Sequence, residues 1–325
     1  MLNKVQNFIN KHQLLDNNRR YLVALSGGAD SVCLLLILHK LGYAVEAAHC
    51  NFKLRGEESN RDEQFCIDLC KRQNIKIHLI HFDTREYAAL KKISIEMAAR
   101  DLRYRYFEQL CRDIDAAGIC VGHHQDDSVE TILLNLVRGT GIKGLTGIKP
   151  INGLIIRPLL VCSKEDINAY LKAEGATYIT DSSNLVPDVM RNKIRLQVLP
   201  LLREINPSVE HAVMQTASHL IETERVVEGA VETALSSVAF SHNRLTVCGC
   251  FEIPLKVFLD FSSSAYLLFY VLSPLGFNSA QIKEINAGLA TSVGRIWESA
   301  EYEITLDALS LVISRKDHKK ALHKR

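Results

Sequence analysis

Between Tyr21 and Arg157 the chain alternates short β-rich apolar runs with amphipathic helical stretches, and this alternation constrains the fold more than any other feature. Strands are expected near Tyr21–Leu25, Ala44–His49, Lys76–Phe82 and Gly118–Gly122, with a fifth near Leu154–Arg157. Helices are expected to begin near Ala29, Glu57, Ile95 and Asp126. Strands joined by helices pair in parallel, because a tight turn cannot return the chain in the same direction. The expected class is therefore α/β, an open doubly wound parallel sheet, and such sheets bind ligands beyond the carboxyl ends of their strands.

After about Asn184 the pattern changes to long helical segments, including one extended helix from Ser208 to Ser236. From Asn243 onward, two short β-like stretches, a helix around Val257–Leu272, another around Ser279–Leu289, and strands near Glu301–Thr305 and Leu309–Ser314 suggest a small α+β unit. The expected organisation is a sheet domain over 1–205, a linking helix over 206–240 and a small α+β domain over 241–325.

With 325 residues and 47% hydrophobic content the chain can bury a sizeable core. Its apolar runs, such as Val32–Leu38, fall far short of the roughly 20 residues that a membrane-spanning helix needs. The polar N-terminus has no apolar segment followed by a cleavage site, so a cytoplasmic protein without membrane contact is expected. Nine cysteines at irregular spacing, with no CxxC pair, argue against a disulfide framework or a zinc knuckle. A net charge of +2 does not announce nucleic acid, but Arg191–Arg195 and the tail Arg315–Arg325 are locally basic.

The segment YLVALSGGADSVCLLLIL reads as buried strand, turn and helix. Gly27 and Gly28 let the backbone approach an anion, the new helix aims free N–H groups at it, and Ser26 and Ser31 add hydroxyls. A plain turn capped by Ser26 or Asp30 is the bland alternative. Asp30 in an anion cradle requires a cation beside it, and magnesium held against ATP phosphates is the simplest. Further along, GHHQDDSVET places Asp126, Asp127 and Glu130 on one helix face, fit for a cation or for capping, with His123 more simply a backbone partner. In ARDLRYRYF, Arg100 and Arg103 share a side with Tyr104 while Arg105 points elsewhere. Arg191 and Arg195 stand one turn apart after Asp181, Ser183 and Asn184.

The ordered set SGGADS, HCNFKLRGEES, ARDLRYRYF, GHHQDDSVET, RGTGIKGL, IIRPLL and DSSN with RNKIR is similar to the tRNA(Ile)-lysidine synthase family of PP-loop ATP pyrophosphatases over roughly 20–200. The region around GRIWESAEYEITLDALSLVI resembles that family's middle domain more loosely. The resemblance implies an ATP- and Mg2+-dependent ligase. ATP activates O2 of the wobble cytidine of a tRNA(Ile) with a CAU anticodon as an adenylate, and the ε-amine of free L-lysine displaces AMP to give lysidine.

It also implies roles for particular residues. Ser26, Gly27, Gly28, Ala29, Asp30, Ser31 and Arg100 would hold ATP, and Asp30 and Asp126 the metal. Asp127, Glu130, Arg103, Arg191 and Arg195 would bind substrates, with Asp30, Asp127 and Glu130 catalytic. The 241–325 domain would contact tRNA, and a homodimer stays open. One departure is Phe52, which stands where the family commonly has a second histidine. Many members continue into a further tRNA-contacting domain, so a short form or a removed C-terminus is expected. The alternatives are a PP-loop tRNA thiolase, disfavoured by the missing CxxC, a glutamine-dependent synthetase, for whose glutaminase no room remains, and a non-catalytic tRNA-binding module.

Overall fold

The computed structural model describes residues 1–180, 190–289, 291 and 293–316. Asp181, Ser183, Asn184 and most of the basic tail lie outside the described residues. Contacts divide the chain into two compact units, Met1–Ile221 and Glu222–Arg325.

The first unit opens with α1 (Leu2–His12), β1 (Arg20–Ala24), α2 (Ala29–Lys40), β2 (Ala44–Asn51), α3 (Glu57–Arg72) and β3 (Ile77–His81). It continues with α4 (Thr84–Lys91), α5 (Ile95–Asp113), β4 (Ile119–Cys120), α6 (Gln125–Arg138), α7 (Ile142–Leu145), β5 (Ile151–Asn152), β6 (Ile155–Ile156) and α8 (Lys164–Ala173). The sheet order is β3-β2-β1-β4-β6-β5, parallel throughout except for the antiparallel edge strand β5. The doubly wound α/β expectation holds. Chain direction across the sheet reverses between β1 and β4, so the crevice beyond their carboxyl ends is the natural ligand site.

The five expected strands appear with shifted ends: β1 starts at Arg20, β2 runs on to Asn51, and the others are shorter than expected, Gly118–Gly122 pairing only through Ile119 and Cys120. The run Val32–Leu38 is helical and buried almost entirely, which explains why it carries no amphipathic pattern. It packs beneath the sheet with Val5, Ile9, Val23, Leu159 and Ile167. After the undescribed segment come α9 (Met190–Lys193), a π-helical turn over Ile194–Val198, and α10 (Leu199–Ile205). Pro200 follows that turn and lacks an N–H for the regular helical ladder, a local cause for the wider turn.

The long helix expected from Ser208 is present as α11 (Val209–Ser236). The second unit then has α12 (His242–Cys248), β7 (Cys250–Pro254), α13 (Leu255–Asp260), α14 (Ser264–Leu272), α15 (Ser279–Gly288), β8 (Ile296–Glu298), β9 (Tyr302–Leu306) and β10 (Ser310–Arg315). Its antiparallel sheet runs β7-β10-β9-β8 around a core that includes Phe258, Leu267, Trp297 and Ile304. Two expectations are corrected here. The first β-like stretch after Asn243 is α12, started by the Ser241 hydroxyl, which accepts from Arg244 N–H. The single helix over Val257–Leu272 is broken at Phe261, and Ser263 caps the second piece by accepting from Tyr266 N–H.

Candidate active site

The turn from β1 into α2 has the backbone geometry to receive an anion. Gly27 adopts φ 90°, a conformation that penalises side chains, and its carbonyl accepts from Ile179 N–H at 2.9 Å. The N-cap of α2 is Gly28, which has no side chain to offer, and Ser26 Oγ accepts only the Gly28 N–H, at 3.3 Å, so among the described residues no side chain caps the N–H groups of the first turn of α2. Ser26 and Ser31 brace the loop from within, their hydroxyls 3.1 Å apart, with Ser31 Oγ donating to Gly28 O at 2.9 Å. Behind the loop, His49 Nδ1 donates to the Leu25 carbonyl at 2.9 Å, and burial lowers its pKa, keeping the imidazole neutral. Gly122, at the end of β4, lies so close that a Cβ there would meet the Asp30 backbone at 2.9 Å.

A cavity of about 280 Å³ opens at this switch point. Its floor is Ser26, Asp30, Ser31 and Gly122, and its walls are Cys50, Phe52, Arg100, Arg103, Tyr104, Phe107 and His123. Arg100 lies over the Tyr104 ring at 4.9 Å and Arg103 over the Phe52 ring at 5.0 Å, so aromatic faces hold both guanidinium groups at the cavity wall. Phe52 thus has a structural task of its own, and it stacks on Phe82 at 5.6 Å. Arg105 turns away to Asp101, as its helical position predicts.

The carboxylates have distinct partners. Asp30 binds Lys164 Nζ at 2.5 Å, so a cation does occupy the place beside it. Asp126 accepts from Lys164 N–H at 3.3 Å; burial alone would raise its pKa, but His124 and that N–H lower it. His124 stands amid three carboxylates, 3.8 Å from Asp30, 3.6 Å from Asp126 and 3.6 Å from Asp127. Burial opposes its protonation, yet Asp126, Asp127 and Asp30 together raise its pKa. Asp127 also accepts from His124 N–H at 3.0 Å, which caps α6.

Glu130 is 1% exposed, and Arg195 takes both its oxygens at 2.5 and 3.0 Å, with Arg191 Nε 3.5 Å away. Arg191 also donates to Thr131 Oγ1 at 2.6 Å. The structure therefore joins Ser26 to Ser31, Asp30, Arg100 and Arg103 at one cavity, and assembles Asp127, Glu130, Arg191 and Arg195 into an ion-pair network. Sequence reasoning missed Lys164 and Arg157, and it read His123 as a partner of backbone groups, whereas His123 lines the cavity and accepts from Arg157. Lys164 begins α8 behind the S-x-x-D capping box of Ser163 and Asp166, a local signal that was there to be read.

Among the described residues no group of three or more His, Cys, Asp or Glu side chains could hold a metal ion by itself. A magnesium ion carried largely by nucleotide phosphates needs only one or two carboxylates, but the cation beside Asp30 here is the Lys164 ammonium, so a metal at Asp30 would have to share or displace that pair. Among the described residues no helix is long and apolar enough to cross a membrane.

Comparison with known proteins agrees with this geometry. A PP-loop domain family model matches residues 1–202, and a TilS substrate binding domain model matches 249–316. The chain is 47% identical to the tRNA(Ile)-lysidine synthase of Bacteroides thetaiotaomicron, across 95% of this chain and 71% of that protein. It is 42% identical to that of Parabacteroides distasonis, across 98% and 71%, and 41% identical to one from Porphyromonas gingivalis W83, across 94% and 65%. A solved U34-tRNA thiolase NcsA from Methanococcus maripaludis, with its [4Fe-4S] cluster, shares the fold at TM-score 0.56 and 16% identity, covering 68% of this chain and 78% of that one.

Proposed function

The chain belongs to the tRNA(Ile)-lysidine synthase family of ATP-dependent tRNA-modifying ligases, and we propose that its switch-point cavity is where ATP is consumed to make lysidine on tRNA(Ile). The observation that carries this reading is the N-terminus of α2, which begins at Gly28 with no side-chain cap among the described residues and opens onto a cavity walled by Arg100 and Arg103. In the proposed reaction the loop Ser26–Ser31 and Arg100 hold the phosphates, while Arg103 and Phe52 line the space that a base enters. Asp30 and Asp126 are the carboxylates for Mg2+, which would neutralise phosphate charge as pyrophosphate leaves.

The wobble cytidine of a CAU anticodon is the proposed nucleoside, activated at O2 so that AMP becomes the leaving group. Asp127 is the proposed contact for the ammonium of free lysine, with Glu130 beside it on the same face of α6. Because Arg195 engages both oxygens of Glu130, a lysine contact there needs that pair to open. A tRNA substrate supports a cytoplasmic setting for this reaction.

The test is nucleoside mass spectrometry of tRNA(Ile) incubated with the protein, ATP and lysine. Lysidine that requires all three is expected. Pyrophosphate release with no lysidine would sink the proposal, and a sulfur-bearing nucleoside would replace it with thiolase chemistry.

A further inference from the structure

Arg157 is 9% exposed and is fixed from all sides. Its N–H donates to Pro150 O at 2.9 Å, Pro158 follows it, and its Nη1 donates to Lys149 O at 2.7 Å. Among the described residues it pairs with no carboxylate. Its Nε instead donates to His123 Nδ1 at 3.2 Å, and Arg100 is a further cation near it. A guanidinium can only donate, so His123 Nδ1 must be the acceptor and the proton must sit on Nε2. Burial lowers the His123 pKa, and the charges of Arg157 and Arg191 push the same way against Asp127, so the ring is neutral. His123 lines the cavity directly after Gly122, whose backbone abuts that of Asp30 and Ser31 at the start of α2.

We propose that Arg157 is a positioning residue that locks His123 as the neutral Nε2–H tautomer, and that His123 donates this hydrogen bond to a phosphoryl oxygen of the bound nucleotide. With both nitrogens committed, His123 cannot act as a general base in this state; it is a fixed donor for charge that grows as pyrophosphate departs. The uncompensated buried charge of Arg157 serves the same end, because it adds to the positive potential behind the cavity without reaching the ligand. This inference rests on the reading of the cavity as the ATP site.

The test has two arms. In the ligand-free protein, 15N NMR of the histidine rings should show His123 unprotonated at Nδ1 and protonated at Nε2, and Arg157→Met should remove that preference while thermal unfolding reports whether the variant folds. A wild-type Nδ1–H tautomer, or a folded Arg157→Met variant with an unchanged tautomer, overturns the proposal. The second arm measures pyrophosphate release with tRNA present. His123→Ala should lose about 100-fold, His123→Gln, whose amide nitrogen reaches the Nε2 position, should stay within about tenfold of wild type, and His123→Asn should behave like the alanine variant. Equal losses in the glutamine and alanine variants overturn the donor role even if Arg157→Met does not fold. A failed reading of the ATP site looks different, since wild type itself would then release no pyrophosphate.

Discussion

Replacing Glu130 with glutamine separates two tasks for one carboxylate. The side chain is 1% exposed, and its oxygens lie 2.5 and 3.0 Å from Arg195. Glutamine keeps the shape but removes the charge and turns an NH2 group toward a guanidinium that has no acceptor to offer. Removing one partner of a buried pair costs about 3–5 kcal/mol. Arg195 is 36% exposed, so water recovers part of this, and about 2–3 kcal/mol is the reasonable expectation. For a unit of this size each kcal/mol moves Tm by roughly 2–4 °C, so the melting midpoint should fall by roughly 4–12 °C. Circular dichroism melts of both proteins, with KM for lysine measured well below either midpoint, provide the assay. Glu130→Gln combined with Arg195→Met should cost little more than either change alone, as expected for coupled groups. A Tm within about 1 °C of wild type, with a raised KM for lysine, would refute the anchoring argument and give Glu130 to the amino acid.

Three further outcomes follow from the same geometry. Asp30→Ala should keep the wild-type circular dichroism spectrum yet lose about 100-fold or more in pyrophosphate release, and near-normal turnover would remove Asp30 from the phosphate site. A double alanine variant of Arg191 and Arg195 should weaken tRNA binding and make log affinity fall less steeply with log salt, by a little under about 1 per lost phosphate contact; unchanged affinity and slope would leave them as intramolecular ion-pair partners alone. Glu46 is bonded to His78 at 2.6 Å with Arg20 and Lys76 close by, and although burial opposes it, these partners hold its pKa below the usual 4.5. A depressed carboxylate stabilises the fold above its ordinary pKa and loses that contribution as pH falls through the folded value. Glu46→Gln should therefore lower stability by about 1–2 kcal/mol at pH 7, with the gap to wild type closing below pH 4.5 in urea titrations.

The parts of this chain that were legible in its sequence are those set by neighbours along it. The strand, glycine turn and helix around Ser26–Ser31 announce themselves because each element depends on residues within a few positions. The shared face of Arg100 and Arg103, and the outward turn of Arg105, follow from helical spacing alone. Phe261 and Ser263 were harder, because the apolar pattern runs through a break that a single serine cap decides.

What stayed hidden is what the sheet brings together from distant positions. Lys164 reaches Asp30 across 134 residues, Arg195 reaches Glu130 across 65, and Arg157 reaches His123 across 34. No spacing rule predicts such pairs, since a lone lysine at a helix start or a lone arginine after a strand is ordinary in sequence. The three pairs nonetheless share a logic. Each sets a cation against a group near the switch point between β1 and β4, so the site's electrostatics are assembled by topology while its phosphate loop is written locally. Changes in the loop at Ser26, Gly27, Gly28 and Ser31, which join none of these pairs, should therefore act on nucleotide chemistry more than on the long-range pairing. Changes in the long-range pairs should disturb both, because the same bonds that tune the site also hold α6, α8 and the Ile194–Val198 turn in place.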